Sequence, residues 1–285
     1  MESIDIEDTG LKRGTERTSV LQLTDKGLCN AEVSVAREFP LTIILNNQDL
    51  VTLLCTPTDL DYLAVGFLFV EELIKNKDEI NSIAIDDLRG IAMLSTKEDK
   101  EIARELSFKQ LISSSYNRGA SIYSSADKQQ LTRVESSTLI STAQVLALVE
   151  EFEERSAVYK ATHGVHSAAL CDTNNILVFS NDLGRHNAID KVFGECILKG
   201  IPIEDRIVIT SGRTPSEMVY KVARGKIPIL ISVGAPTCLG IRLARDLGIT
   251  MIGFVRGGNM NVYTGSWRIM DCLDINDGIT SAVKR

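Results

Sequence analysis

This chain is poor in the residues that staple, coat or anchor a protein. It has six cysteines in 285 residues, at 29, 55, 171, 196, 238 and 272, and no two are closer than 25 positions. That scatter provides neither zinc-knuckle nor CxxC redox spacing and reads as free thiols in a reducing compartment. Six prolines and twenty glycines exclude a collagenous or low-complexity chain. Positive charge is short: 31 Lys and Arg against 38 Asp and Glu give a net charge of −7. Such a balance argues against coating nucleic acid or an anionic membrane, so any bound anion must be held by locally placed groups. No segment approaches the roughly 18 unbroken apolar residues of a membrane helix, and Met1 to Lys26 lacks the apolar core of a secretory signal. The expectation is a cytoplasmic protein without membrane or nucleic-acid partner. What is present is globular in character, with 44% hydrophobic and 24% charged residues and chain enough for about two domains.

Residues 1–18 are polar and aperiodic and are expected to be a tail, followed by an α+β domain over 19–112. Leu41 to Leu45 and Leu50 to Cys55 read as a hairpin joined through Asn46 to Asp49. Leu60, Leu63, Ala64, Phe67 and Leu68 line one face of a helix after Thr58. Ile80 to Ile85 and Ile91 to Leu94 read as further strands. Between Ser113 and Thr142 twelve of thirty residues are Ser or Thr without any period, which marks 113–141 as a functional loop. From 142 to 285 the pattern becomes regular. A helix from Thr142 precedes strands at Val165 to Cys171 and Ile176 to Phe179. A helix stripe from Ile189 to Ile197 then leads into strands at Ile207 to Ile209, Ile229 to Val233 and Ile249 to Val255. Helices separate these strands, one opened by a Thr214-Pro215-Ser216-Glu217 capping box and one starting near Thr237. Strand–helix alternation with short connections requires a parallel sheet.

In open α/β sheets ligands collect beyond the carboxyl ends of the strands. There this chain places Gly184, Arg185 and His186; then Ser211, Gly212, Arg213 and Thr214; then Gly234 to Thr237; and then Phe254, Val255, Arg256, Gly257, Gly258 and Asn259. Three of these four loops set an arginine beside a glycine, pairing a planar fork of donors with close backbone approach, as a phosphorylated ligand requires. All three histidines fall between 163 and 186. His163 and His166 are expected on opposite faces of an extended run and lack companion ligands, which favours hydrogen bonding over a metal site. Asp190 and Lys191 are expected to project near the same pocket. Cys238 stands at a strand-to-helix junction, where a helix dipole and nearby arginines favour thiolate. The order of elements resembles a cytidine-deaminase-like α/β/α sandwich. The zinc ligands of deaminases are missing, however, with His186-Asn187-Ala188 and Thr214-Pro215-Ser216-Glu217 at the two helix starts.

The strings Leu183-Gly184-Arg185-His186-Asn187-Ala188-Ile189-Asp190-Lys191, Thr210-Ser211-Gly212-Arg213, Ala235-Pro236-Thr237 and Gly253-Phe254-Val255-Arg256 together resemble the FdhD family of formate dehydrogenase accessory proteins. Leu41 to Asn46, Thr56-Pro57 and Val65-Gly66-Phe67 extend the likeness into the first half. The resemblance implies a cytoplasmic homodimer. It also implies a protein that takes sulfur from a cysteine desulfurase and passes it to the bis-molybdopterin guanine dinucleotide form of the molybdenum cofactor, before that cofactor enters the formate dehydrogenase catalytic subunit. By this likeness Phe254 to Asn259 hold the cofactor, with GDP or GMP as surrogate ligands, and the Ser-rich loop carries a Cys-x-x-Cys. In this chain Ser115 to Ser124 contain no cysteine, and no other side chain can hold a transferable sulfur. Two alternatives stand: another thiol, Cys238 foremost, takes the sulfur, or the protein carries the cofactor without sulfurating it.

Overall fold

The structure is a computed structural model describing residues 11–97 and 131–272. These residues form two compact units that interleave along the chain, 11–97 with 156–166 and 181–194 in the first, 131–155 with 167–180 and 195–272 in the second.

The first unit opens with an antiparallel ribbon of β1 (Thr15–Thr24) and β2 (Gly27–Ala36), in which none of the twenty residues is buried. Part of the expected tail is thus a strand, since Thr15 to Thr18 pair with Val33 to Ala36. The reason is that a strand with no buried face leaves no hydrophobic alternation to read. β3 (Phe39–Leu45) and β4 (Gln48–Cys55) make the expected hairpin. Asn46 and Asn47 both take left-handed backbone, φ 50° and 61°, as a tight hairpin turn requires. Leu41, Ile43 and Leu45 alternate inward from β3. α1 (Leu60–Val70) carries the chain across to β5 (Ile80–Asp86) and β6 (Ile91–Thr96). The sheet order is β4-β3-β6-β5, with β6 parallel to β3, a pairing that needs such a crossover.

The second unit is built on a six-stranded sheet. α2 (Thr142–Arg155) and α3 (Ala157–Thr162) precede β7 (His166–Cys171), β8 (Ile176–Asp182) and α4 (Arg185–Lys199), of which α3, the end of β8 and residues 185–194 of α4 belong to the first unit. Then come β9 (Ile207–Thr210), α5 (Ser216–Arg224), β10 (Ile229–Ser232), α6 (Cys238–Asp246), β11 (Thr250–Arg256) and β12 (Asn259–Thr264). The order is β12-β11-β10-β9-β7-β8. β9, β10 and β11 are parallel as expected, while β7 and β12 run antiparallel to their neighbours β9 and β11. β12 is an element the sequence pattern hid, because Asn259 to Thr264 is mostly polar and half exposed. Val145, Leu148, Val149 and Phe152 of α2 join Ile207, Ile209, Ile229, Ile231 and Ile252 in the core. Thirteen of the fifteen residues of β9, β10 and β11 are buried, the signature of strands covered on both faces. Among the described residues no helix is long and apolar enough to cross a membrane.

Candidate functional site

The carboxyl ends of β9, β10 and β11 are laced together by main-chain and hydroxyl hydrogen bonds. Ser232 Oγ donates to Gly212 O at 2.7 Å and accepts from Gly234 N at 2.9 Å. Thr214 N donates to Ala235 O at 3.1 Å, Thr237 N to Thr214 O at 3.3 Å, and Phe254 N to Gly234 O at 3.1 Å. Ser211 closes the neighbouring side, its Oγ accepting from Ser167 N at 3.0 Å. Ser211, Gly212, Arg213, Thr214, Phe254 and the loop 234–237 therefore share one sheet edge, as their spacing predicts. Ser232 was illegible as part of this edge, since a hydroxyl inside the apolar run Ile229 to Val233 gives no periodic signal. The expected capping box at Thr214 is replaced by another arrangement. The helix begins at Ser216 with Pro215 as its cap, and Thr214 is buried and bridges to Pro236. Its N–H and C=O are both spent on 235–237, so its main chain stays extended.

Arg213, Phe254 and Arg256 are exposed at this edge. The Arg256 guanidinium lies 5.3 Å from the centre of the Phe254 ring, a cation–π distance. Phe254 has φ 55°, in a bulge between Gly253 and Arg256 where β11 and β12 change register. Left-handed backbone at an aromatic residue costs of order 1–3 kcal/mol and is characteristic of binding sites. Gly257 and Gly258, at φ 56° and 78°, make the turn into β12, with Asn259 beside them. Cys238 is exposed at the first position of α6, whose cap Thr237 accepts Gly240 N–H at 3.1 Å.

The motif Leu183 to Lys191 lies in the first unit and is largely consumed by the fold. Lys191 and Asp182 form an ion pair at 2.7 Å with both side chains fully buried. Lys191 Nζ also donates to Thr56 O at 3.1 Å, Thr58 Oγ1 at 3.3 Å and Asn181 O at 3.3 Å. Asp182 Oδ1 accepts from Gly184 N and from Asn187 Nδ2, each at 2.9 Å. The expectation that Asp190 and Lys191 project into a pocket is therefore corrected: both are buried. Four acceptors thus surround the fully buried Lys191 amine. Gly184 and His186 are buried too, and Arg185 is half-buried. His163 is no strand residue either, because it caps α3 in left-handed conformation and meets the Tyr159 ring edge-on at 5.0 Å. Among the described residues no group of three or more His, Cys, Asp or Glu is gathered as metal ligands.

The thiols divide sharply. Cys55, Cys171 and Cys196 are buried, and desolvation pushes each up to about 12. For Cys55 the Asp182 carboxylate adds to this. Cys29 and Cys238 are exposed and Cys272 is half-buried. The Ser-rich stretch Ser115 to Ser124 lies outside the described residues; of the expected loop over 113–141, residues 131–141 are described. Val134 N donates to Leu247 O at 2.8 Å, and the buried Arg268 donates to Gly248 O at 2.6 Å and to Val134 O at 3.2 Å. Those contacts lie where β11 begins, away from the edge that carries Arg213 and Arg256.

The fold and this edge define a mixed α/β protein with glycine-bearing loops at the carboxyl ends of three parallel strands, two of which carry an arginine. Residues 36–270 match the model of the FdhD/NarQ family, and the chain belongs to that family. It is 38% identical over 244 residues to the sulfur carrier protein FdhD of Bacillus subtilis (strain 168), covering 86% of this chain and 93% of that one. The sulfur carrier protein FdhD of Staphylococcus aureus (strain MRSA252) is 35% identical over 252 residues, 88% of this chain and 95% of its own. The crystal structure of a protein assigned as a formate dehydrogenase accessory protein, from Desulfotalea psychrophila, superposes with a TM-score of 0.76 at 27% identity. That match covers 90% of this chain and all of that one.

Proposed function

We propose that this protein is a formate dehydrogenase accessory factor that binds the bis-molybdopterin guanine dinucleotide cofactor as cargo, accepts sulfur from a cysteine desulfurase and delivers the cofactor to the dehydrogenase catalytic subunit. The observation that carries the proposal is the laced edge of β9, β10 and β11. Guanidinium groups at Arg213 and Arg256 offer charge-assisted donors to phosphate oxygens, the Gly257-Gly258 turn admits close backbone approach, and the exposed Phe254 ring offers a stacking face. The turn Gly184-Arg185-His186, in the other unit, is assigned to the same class of ligand through the Arg185 side chain. Val255 is buried and Asn259 is exposed; the former holds the strand end in the core and the latter starts β12.

GDP, carrying the guanine and pyrophosphate of the cofactor, is the probe. Calorimetric titration is expected to show binding that weakens about 10- to 150-fold in Arg213→Ala and in Arg256→Ala, as follows from losing a charge-assisted contact of about 1.5–3 kcal/mol. Unchanged affinity in both variants rejects the placement of the site.

Sulfur transfer is assigned to Cys238. Its thiolate attacks the outer sulfur of the desulfurase persulfide, forming a Cys238 persulfide as the desulfurase cysteine leaves as thiolate. Incubation with desulfurase and cysteine is expected to add about 32 Da to the intact mass, the mass of one sulfur, and Cys238→Ala is expected to abolish the gain. A second reading, a cofactor carrier that transfers no sulfur, is favoured by the absence of cysteine from Ser115 to Ser124. GDP binding without any mass gain establishes that reading instead.

A further inference from the structure

The turn Leu183 to His186 is shaped by a residue more than a hundred positions away. Thr56, 1% exposed and directly after β4, meets both members of the buried ion pair and the turn itself. Its Oγ1 accepts Leu183 N–H at 2.9 Å, its own N–H donates to Asp182 Oδ2 at 3.0 Å, and its carbonyl accepts Lys191 Nζ at 3.1 Å. Asn187 Nδ2 makes a second tie to the same strand end, donating to Leu54 O at 2.9 Å. Two consequences follow. The N–H groups of Leu183 and Gly184 are both spent inside the protein, on Thr56 Oγ1 and Asp182 Oδ1. The turn before α4 therefore does not present these two donors to an anion, and the Arg185 side chain, which follows them directly, is the group that the nucleotide reading assigns to it. These two hydrogen bonds hold the backbone that immediately precedes Arg185.

We infer that Thr56 is a positioning residue: its hydroxyl fixes the Leu183–Gly184 backbone, and through it the Arg185 guanidinium that contacts phosphate. The second half of this statement rests on the proposed nucleotide reading. The first half stands on the hydrogen bonds alone. The hydroxyl is the discriminating group, because valine has nearly the shape of threonine and no acceptor, whereas serine keeps the acceptor and loses only a methyl.

The experiment compares wild type, Thr56→Val, Thr56→Ser and Arg185→Ala in the full-length protein. Residue-resolved amide hydrogen exchange is measured without ligand, and GDP affinity is measured by calorimetry. In Thr56→Val the Leu183 and Gly184 amides are expected to exchange about 10-fold faster while those of β9 stay unchanged, as for a buried donor deprived of its acceptor. GDP affinity is expected to fall about 10-fold in Thr56→Val and in Arg185→Ala, and to remain within about twofold of wild type in Thr56→Ser. A general loss of stability would instead raise exchange throughout the unit, and serine would not restore the local pattern. Unchanged Leu183 exchange in Thr56→Val overturns the positioning role whatever GDP does. Faster exchange with undiminished GDP binding overturns the link to Arg185. Failure of the wild type to bind GDP removes the nucleotide reading and with it that link, while the exchange data still decide what Thr56 does.

Discussion

At the scale of single residues, burial separates side chains that work for the fold from those left for a ligand. Lys191→Met leaves Asp182 as a buried charge facing a methyl group. It is expected to cost about 3–5 kcal/mol, read as a lower urea midpoint with an unchanged m-value. The thiols give a second test. An alkylating reagent is expected to modify Cys29 and Cys238 in the native protein, and to reach Cys55, Cys171 and Cys196 only after unfolding. Those three thiols titrate near 12 when folded and near 9.0 when not. From about pH 9 upward the unfolded chain binds fewer protons than the native one, so stability falls as pH rises. The stabilisation is complete below pH 9 and disappears on the way to about 12; denaturation midpoints in alkaline buffers measure it. The nine-residue string Leu183 to Lys191 announced its importance in the sequence but not its division of labour. Leucine, glycine, asparagine and lysine in that string serve the protein interior, and only coordinates distinguish an inward from an outward polar residue.

At the scale of elements, periodicity located what is half-buried and missed what is not. β3, β4, α1, α2 and the β9 to β11 series announce themselves by alternation, stripe or apolar run. β1 and β12 do not, because neither presents a continuous buried face. The contact between α1 and α4 was equally invisible, although it rests on two glycines. A Cβ on Gly66 would stand 1.7 Å from Asp190 O, and one on Gly194 would stand 1.8 Å from Tyr62 O, so the helices touch backbone to backbone. Gly66→Ala and Gly194→Ala are each expected to force these helices apart and to destabilise by about 1–3 kcal/mol or more, seen as a lower thermal midpoint. In the β11–β12 bulge the expected sign is reversed. Phe254→Gly removes left-handed strain from a side chain 38% exposed, so stability is expected to hold or rise while GDP binding weakens. A variant that loses both shows instead that the ring is needed for folding.

At the scale of the whole molecule, the family matches 36–270, and the loops that carry the candidate ligand groups are those at which an open α/β sheet binds ligands. That edge could be located from sequence because glycine follows β9, β10 and β11, and arginine stands beside it at two of them. The lacing that holds it, through Ser232, Thr214 and Gly234, belongs to main-chain geometry that composition does not encode. The described end of the expected 113–141 loop is anchored where β11 starts, through Val134, Arg268 and the carbonyls of Leu247 and Gly248.

The interleaving of the two units also governs how this protein can be made or broken. The chain passes from one to the other and back more than once, at 156–166 and again at 181–194. No single cut yields either half as one continuous polypeptide, and a premature stop after the first sheet removes the stretch that donates Asp182, Asn187 and Lys191 to its own interior. Ribosomal synthesis must therefore reach well past residue 190 before even the amino-terminal half can close. Gene fusion or domain shuffling could move this protein only in one piece.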